Sequence, residues 1–263
     1  MEIWRENEII RSALDGDLKK LYKCLSEGYD INIQTEKGIN LLMLTILFGM
    51  GSYYTRDKYI KALIDNGINL NHANEFKQTA LHVASYTNDI EVVKLLIESG
   101  IDINAVDEKG LNALMYACKD IALFISKSYE KWDIPREIKE YDRTLWNERY
   151  LDKETEKIQN EYQLKVIRYL VEHNINLEQI NNEGKTALDL AIENDYVSSK
   201  EMVKILKEAG AVCHNLKKMD VNYLETLFDG GIIAFVATLS AQHTYNKKIK
   251  CLRRKYNRDI EKL

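Results

Sequence analysis

Apolar residues in this chain fall in short stretches at helical spacing, each opened by a capping residue and closed by glycine or asparagine. Leu14, Leu18, Leu21, Tyr22 and Leu25 make one stripe, and Leu41, Leu42, Leu44, Ile46 and Leu47 another. Spacings of three and four place such residues on one helix face. Asn7, Asn40, Thr79, Asn112, Thr186 and Asn222 each precede a stretch, with gaps of 33, 39, 33, 74 and 36. Their side chains accept hydrogen bonds from the first N–H groups of a helix. Gly28, Gly67, Gly100, Asn174 and Gly210 follow the stretches, with gaps of 39, 33, 74 and 36. Gly and Asn tolerate the left-handed backbone that ends a helix. Two ladders with one set of gaps predict a repeat architecture. The expected fold is all-α: a solenoid of about six helix-pair units over residues 1–243, the last one degenerate.

The clearest unit spans 74–106 and contains TALHVA at 79–84. That segment resembles the T-P-L-H-x-A signature of ankyrin repeats, whose period is about 33 residues. DEKGLNALMYA at 107–117 and NNEGKTALDLA at 181–191 repeat it, with Ala80, Ala113 and Ala187 where the family usually has proline. Lys77 stands where Gly38, Gly110 and Gly184 stand in other units. A left-handed backbone there would strain a lysine by about 1–2 kcal/mol. The resemblance implies a protein-interaction module. It implies that His82 hydrogen-bonds the backbone of a neighbouring loop. It also places binding at the turn before each cap and at the end of each inner helix. Carried over, those positions are Glu36, Lys37, Ile39 and Phe48, then Glu75, Phe76, Gln78, Tyr86 and Thr87. They continue with Glu108, Lys109 and Leu111, then Asn182, Glu183, Lys185 and Glu193. Phe76 and Tyr86 are the expected exposed anchors, because aromatic side chains concentrate binding energy. Ile39 and Leu111 fit either binding or core packing.

The gap of 74 holds an excess near 120–160. Leu114, Ala117, Ile121, Phe124 and Ile125 continue a stripe through Tyr129 to Trp132, and Ile158, Tyr162, Val166 and Tyr169 form one on the far side. Both helices of the fourth unit are therefore expected to lengthen into a helical arm. Trp132, Tyr141 and Trp146 make the arm a candidate contact surface, or zip it together. Another six extra residues lengthen the loop near 49–54.

Charge changes the picture at one end. Residues 244–263 carry a net +6, so the other 243 sum to −10 against a total of −4. Ile249, Leu252, Tyr256 and Ile260 form a single stripe there, which predicts a basic helix packed as a cap on the solenoid. The alternative is nucleic-acid or anionic-membrane binding through that helix. Two uncharged runs, 39–55 and 230–246, are 17 residues each, short of the roughly 20 a membrane-spanning helix needs. Cys24, Cys118, Cys213 and Cys251 are scattered, and the start MEIWRENEII is too charged for a signal peptide. These features fit a cytoplasmic protein.

No catalytic motif is present: no G-x-S-x-G, H-E-x-x-H, Walker A or G-x-G-x-x-G. The five histidines share no ligand spacing. The expectation is a non-enzymatic module without cofactor or metal, monomeric outside its complex, that binds a protein through a concave groove and the arm. The Lys-, Ile- and Asn-rich composition also suits an effector or inhibitor from a bacterium or virus, delivered into a host cell and acting by masking a partner.

Overall fold

The computed structural model describes residues 7–48, 53–119, 153–193 and 199–214. They form ten helices: α1 (Glu8–Asp15), α2 (Leu18–Ser26), α3 (Leu41–Phe48), α4 (Tyr53–Asp65), α5 (Ala80–Tyr86), α6 (Ile90–Glu98), α7 (Ala113–Ala117), α8 (Lys153–Glu172), α9 (Ala187–Glu193) and α10 (Ser199–Glu208). Among the described residues, pairing between extended segments is limited to an isolated bridge, Gln34 with Asn40. The helices come in pairs, α1 with α2 through α9 with α10, and α7 pairs with α8. Odd-numbered helices stack into one column, α1–α3–α5–α7–α9, and α4, α6, α8 and α10 stack into a second. This is an all-helical solenoid. The five pairs are units one to five; Asn222, the degenerate unit and the basic helix at 244–263 lie outside the described residues.

Both ladders appear in the backbone. Asn40 Oδ1 accepts the Met43 N–H and Asn112 Oδ1 the Met115 N–H, each at 3.0 Å. Asp17 and Asp89 likewise cap the outer helices α2 and α6. The closing ladder is left-handed throughout: Gly28, Gly67, Gly100 and Gly210 have φ of 88°, 81°, 87° and 91°, and Asn174 has φ of 60°. Lys77 does take a left-handed backbone, with φ of 58° beside 73°, 74° and 75° at Gly38, Gly110 and Gly184.

Position in the stack decides which faces are apolar. α3 reads LLMLTILF and lies between α1 and α5, so every residue but Leu47 is buried. α2 buries only Leu21 and Cys24 and leaves Tyr22 exposed. Tyr59 of α4 reaches across to α1, where its hydroxyl and that of Ser12 share a 2.6 Å hydrogen bond.

The fourth unit departs from the plain pattern. α8 has 20 residues where α6 has nine. Its later half buries Gln163, Val166, Ile167 and Leu170. Earlier, Ile158 and Tyr162 are exposed. The inner partner is not a continuous long helix: α7 ends at Ala117, and Cys118 and Lys119 turn away. Gln163 seals this turn: its Nε2 donates to the carbonyls of Ala117 at 2.8 Å and Lys119 at 3.4 Å. The stripe expected to run on to Trp132 is thus interrupted at its root, and residues 120–152 lie outside the described residues. No helix among the described residues is long and apolar enough to cross a membrane.

Candidate partner-binding surface

Each unit from two to five begins with a turn braced by its first side chain. Thr35 Oγ1 accepts the N–H groups of Lys37 and Ile39 at 3.2 and 3.1 Å. Asn74 Oδ1 accepts those of Phe76 and Gln78 at 3.0 and 2.8 Å. Asp107 Oδ1 accepts those of Lys109 and Leu111, both at 2.8 Å. Asn181 Oδ1 accepts those of Glu183 and Lys185, both at 2.9 Å. A short side-chain acceptor that bonds the backbone two and four residues on is what sharpens such a turn. These four residues stand 39, 33 and 74 apart, the same gaps as the caps. Sequence reasoning used them as unit boundaries and missed their role.

The braced tips are bonded to one another. Glu75 N donates to Lys37 O at 3.1 Å, Glu108 N to Phe76 O at 2.9 Å and Asn182 N to Lys109 O at 2.9 Å. Asn182 Nδ2 adds a bond to Glu108 O at 3.1 Å. Gly38 and Gly110 permit the close approach. A Cβ on Gly38 would lie 3.0 Å from Asn74 Cα, and one on Gly110 3.2 Å from Asn181 Cα. The tips therefore form a continuous backbone ribbon along one edge of units two to five.

The ribbon's side chains divide into two groups. Glu36, Glu75, Glu108, Lys109, Asn182 and Glu183 are exposed, while Lys37, Phe76 and Lys185 are half-buried. Lys37 lies 3.9 Å from Glu75. Lys185 is 2.8 Å from both Glu183 and Glu193. Its ammonium, hydrogen-bonded first to Glu183 and then to Glu193, is held above the usual lysine range, and Glu183 below the usual carboxylate range.

The positions at the helix ends behave otherwise. Tyr86, expected as an exposed anchor, is buried, and so are Phe48 and Gln78. All seven residues of α5 are buried because α3 and α7 flank it on both sides. The Tyr86 ring meets the Tyr116 ring edge-on, with centroids 6.4 Å apart. Thr87 is half-buried and its hydroxyl bonds back to Val83 O and Ala84 O. Ile39 and Leu111 are core residues, each 2% exposed. Trp132, Tyr141 and Trp146 lie outside the described residues.

Of the residues expected to be structural, His82 is the best defined. Its Nδ1 accepts the Thr79 N–H at 3.0 Å, which leaves the proton on Nε2, 3.1 Å from Leu111 O in the next unit. Burial lowers its pKa and keeps the ring neutral. Asp189 holds the corresponding place in unit five. It accepts the Thr186 N–H at 2.8 Å, the Cys213 thiol at 2.8 Å and the His214 N–H at 3.2 Å. Cys118 is fully buried, and that burial pushes its thiol up to about 12. Among the described residues no group of three or more His, Cys, Asp or Glu side chains could hold a metal ion.

Stacked helix pairs whose turns bond edge to edge define a repeat solenoid. A family model for ankyrin repeats (3 copies) matches residues 9–107, 52–133 and 158–218, and the chain belongs to the ankyrin-repeat family. No curated protein matches it. Ankyrin repeats in general mediate protein–protein interaction and are typically non-enzymatic.

Proposed function

We propose that this protein binds a protein partner through the ribbon of turn tips in units two to five. The ladder of Lys37, Glu75, Phe76, Glu108, Lys109 and Asn182 backbone bonds supports the reading, because it holds exposed side chains of four repeats in fixed register. Such pre-organisation reduces the ordering cost of binding. Glu36, Glu75, Glu108 and Glu183 alternate with Lys37, Lys77, Lys109 and Lys185, which suits a partner surface of mixed charge rather than a polyanion. Phe76, half-buried at a tip, is the apolar anchor in this reading; Tyr86 and Phe48 support the surface from within. Trp132, Tyr141 and Trp146 are further candidate contact residues in this reading.

The test is affinity capture from cell extract with the full chain and with a Phe76→Ser/Lys109→Glu variant of matched melting temperature. A protein retained by the wild type and lost by the variant is the expected result, since losing an anchor costs about 2 kcal/mol or more. Equal capture by both moves the surface off the tips and makes the arm the site to delete next.

A further inference from the structure

Beneath the tips of units three and four runs a buried relay of polar side chains. Gln78 N donates to Asn74 Oδ1 at 2.8 Å, which turns the Asn74 amide so that its Nδ2 faces Gln78 Oε1 at 3.0 Å. Gln78 Nε2 then points to Tyr116 Oη at 2.5 Å, and that hydroxyl lies 2.8 Å from Asp107 Oδ2. An amide nitrogen only donates and a carboxylate only accepts, so the tyrosine hydroxyl accepts one bond and donates the other. Asn74, Gln78, Asp107 and Tyr116 are all buried. The relay begins on the residue that braces one tip and ends on the residue that braces the next.

No other junction among the described residues has this arrangement. Where Gln78 stands, the other units have Ile39, Leu111 and Lys185; where Tyr116 stands, they have Leu44, Val83 and Leu190. Tyr116 is also clamped sideways. Its ring meets His82 edge-on with centroids 5.2 Å apart, and the Lys119 ammonium sits 5.4 Å from its centroid. It lies at the root of the long insertion, one residue before the Ala117 carbonyl held by Gln163.

We propose that Tyr116 is a positioning residue that joins the tips of units three and four into one rigid docking element, whose two turns order and loosen together. This builds on the tips as the docking surface, and its role is to keep Phe76 and the Glu108–Lys109 pair at a fixed separation for the partner. The other tips are joined without such a relay and respond singly. Removing the hydroxyl leaves two buried groups short of a partner, Gln78 Nε2 in one tip and Asp107 Oδ2 in the other, so both turns should open.

Hydrogen exchange on the full chain tests this without any partner. Tyr116→Phe keeps the ring and its contacts. Amide exchange at Lys77, Gln78, Lys109, Gly110 and Leu111 should rise together, about tenfold, while Gly38, Gly184 and Lys185 stay within about twofold. The double variant Gln78→Leu/Tyr116→Phe takes out the Gln78–Tyr116 bond whole but leaves Asn74 Nδ2 in one tip and Asp107 Oδ2 in the other short of a partner. It should restore neither the urea midpoint nor the protection of the two tips. The proposal is overturned if exchange rises in the tip of unit three or of unit four alone, if all four tips rise alike, or if the double variant recovers protection along with stability. Failure of the docking reading is separate: capture unaffected by Phe76→Ser/Lys109→Glu would sink that reading and leave the tip coupling intact.

Discussion

Units three and five use the same rung with opposite polarity. In unit three a threonine cap is followed three residues later by His82, whose Nε2–H donates a hydrogen bond to the carbonyl of Leu111. In unit five the residue three after the threonine is Asp189, whose carboxylate takes the N–H of His214 and the thiol of Cys213. Both side chains first accept the N–H of their own cap, Thr79 or Thr186. The rung therefore fixes a task, to satisfy the helix start and then hold a group further along the chain, and leaves the chemistry free. What differs is the backbone group met there, a carbonyl for His82 and an N–H for Asp189. Asn40 and Asn112 meet the first half of that task with their own amide oxygens, and Asn112 Nδ2 reaches Asn176 O at 2.9 Å.

Exchanging the two rungs should break the comparison most strongly. His82→Asp would set a carboxylate against the Leu111 carbonyl with no donor between them and would remove the ring that meets Tyr116. A cost of about 3–5 kcal/mol follows for an unpaired buried charge beside an orphaned carbonyl. Asp189→Ala would strand the buried Thr186 N–H and release the His214 N–H, for about 2–4 kcal/mol. Asp189→Asn keeps one acceptor and should lose about half as much. Urea unfolding followed by circular dichroism reads all three. If His82→Asp unfolds near the wild-type midpoint, the rungs are interchangeable and polarity across the junction does not matter.

A second contrast lies in the turns of units three and four. Lys77 and Gly110 occupy the same left-handed place, with φ of 58° and 74°. Lys77→Gly should relieve strain and raise stability by up to about 1 kcal/mol, less the extra freedom the glycine gives the unfolded chain. Gly110→Ala should lower it by about 2 kcal/mol, because the left-handed strain is joined by a Cβ placed 3.2 Å from Asn181 Cα and from Asn182 Oδ1. Thermal melts of the two variants check the opposite signs. Equal small shifts would mean that the ribbon yields at these turns, and that the close approach of neighbouring tips is not a constraint.

These turns also show how much of the molecule was legible in the sequence. The caps and left-handed closures were readable because each depends on one residue type at one spacing. Asn40, Asn112, Gly28 and Gly210 declare their backbone by identity alone, and so the helix pairs followed. Exposure was not readable. Tyr86 stands at a place that points outward in a generic repeat, but here a neighbouring tyrosine, Tyr116, comes up against it. That contact joins residues 30 apart, and no local pattern encodes it. Gln163 is a second such case. It looks like a polar residue in a helical stripe, yet it lies buried and takes the carbonyl that ends α7. Spacing gives the repeat; the departures that shape the candidate surface are made by long-range polar contacts.

The smallest expected effect separates the two rungs by pH. Burial holds the His82 pKa below its usual 6.5, and the hydrogen bond to Leu111 O and the nearby Asp107 only partly oppose that. As pH falls, the unfolded chain takes up this proton before the folded one does. The stability that neutral His82 contributes is therefore complete above about pH 6.5 and declines below it, by at most about 1.4 kcal/mol per pH unit, until the folded pKa is reached. Protonation would turn Nδ1 into a donor facing the Thr79 N–H while Nε2–H still donates to Leu111 O, so the loss falls on the start of α5. His82→Gln is the matching control. Glutamine at the third helical position can still accept the cap's N–H, as in a capping box, and it does not titrate. Urea midpoints at pH 7.5 and 5.5 should fall further apart for the wild type than for His82→Gln, by the equivalent of about 1 kcal/mol. Exchange measured at the same two pH values should place the extra loss at Thr79–Val83. If the two proteins respond alike, the pH sensitivity comes from groups other than His82, and the titration of this rung has no consequence for stability between pH 5.5 and 7.5.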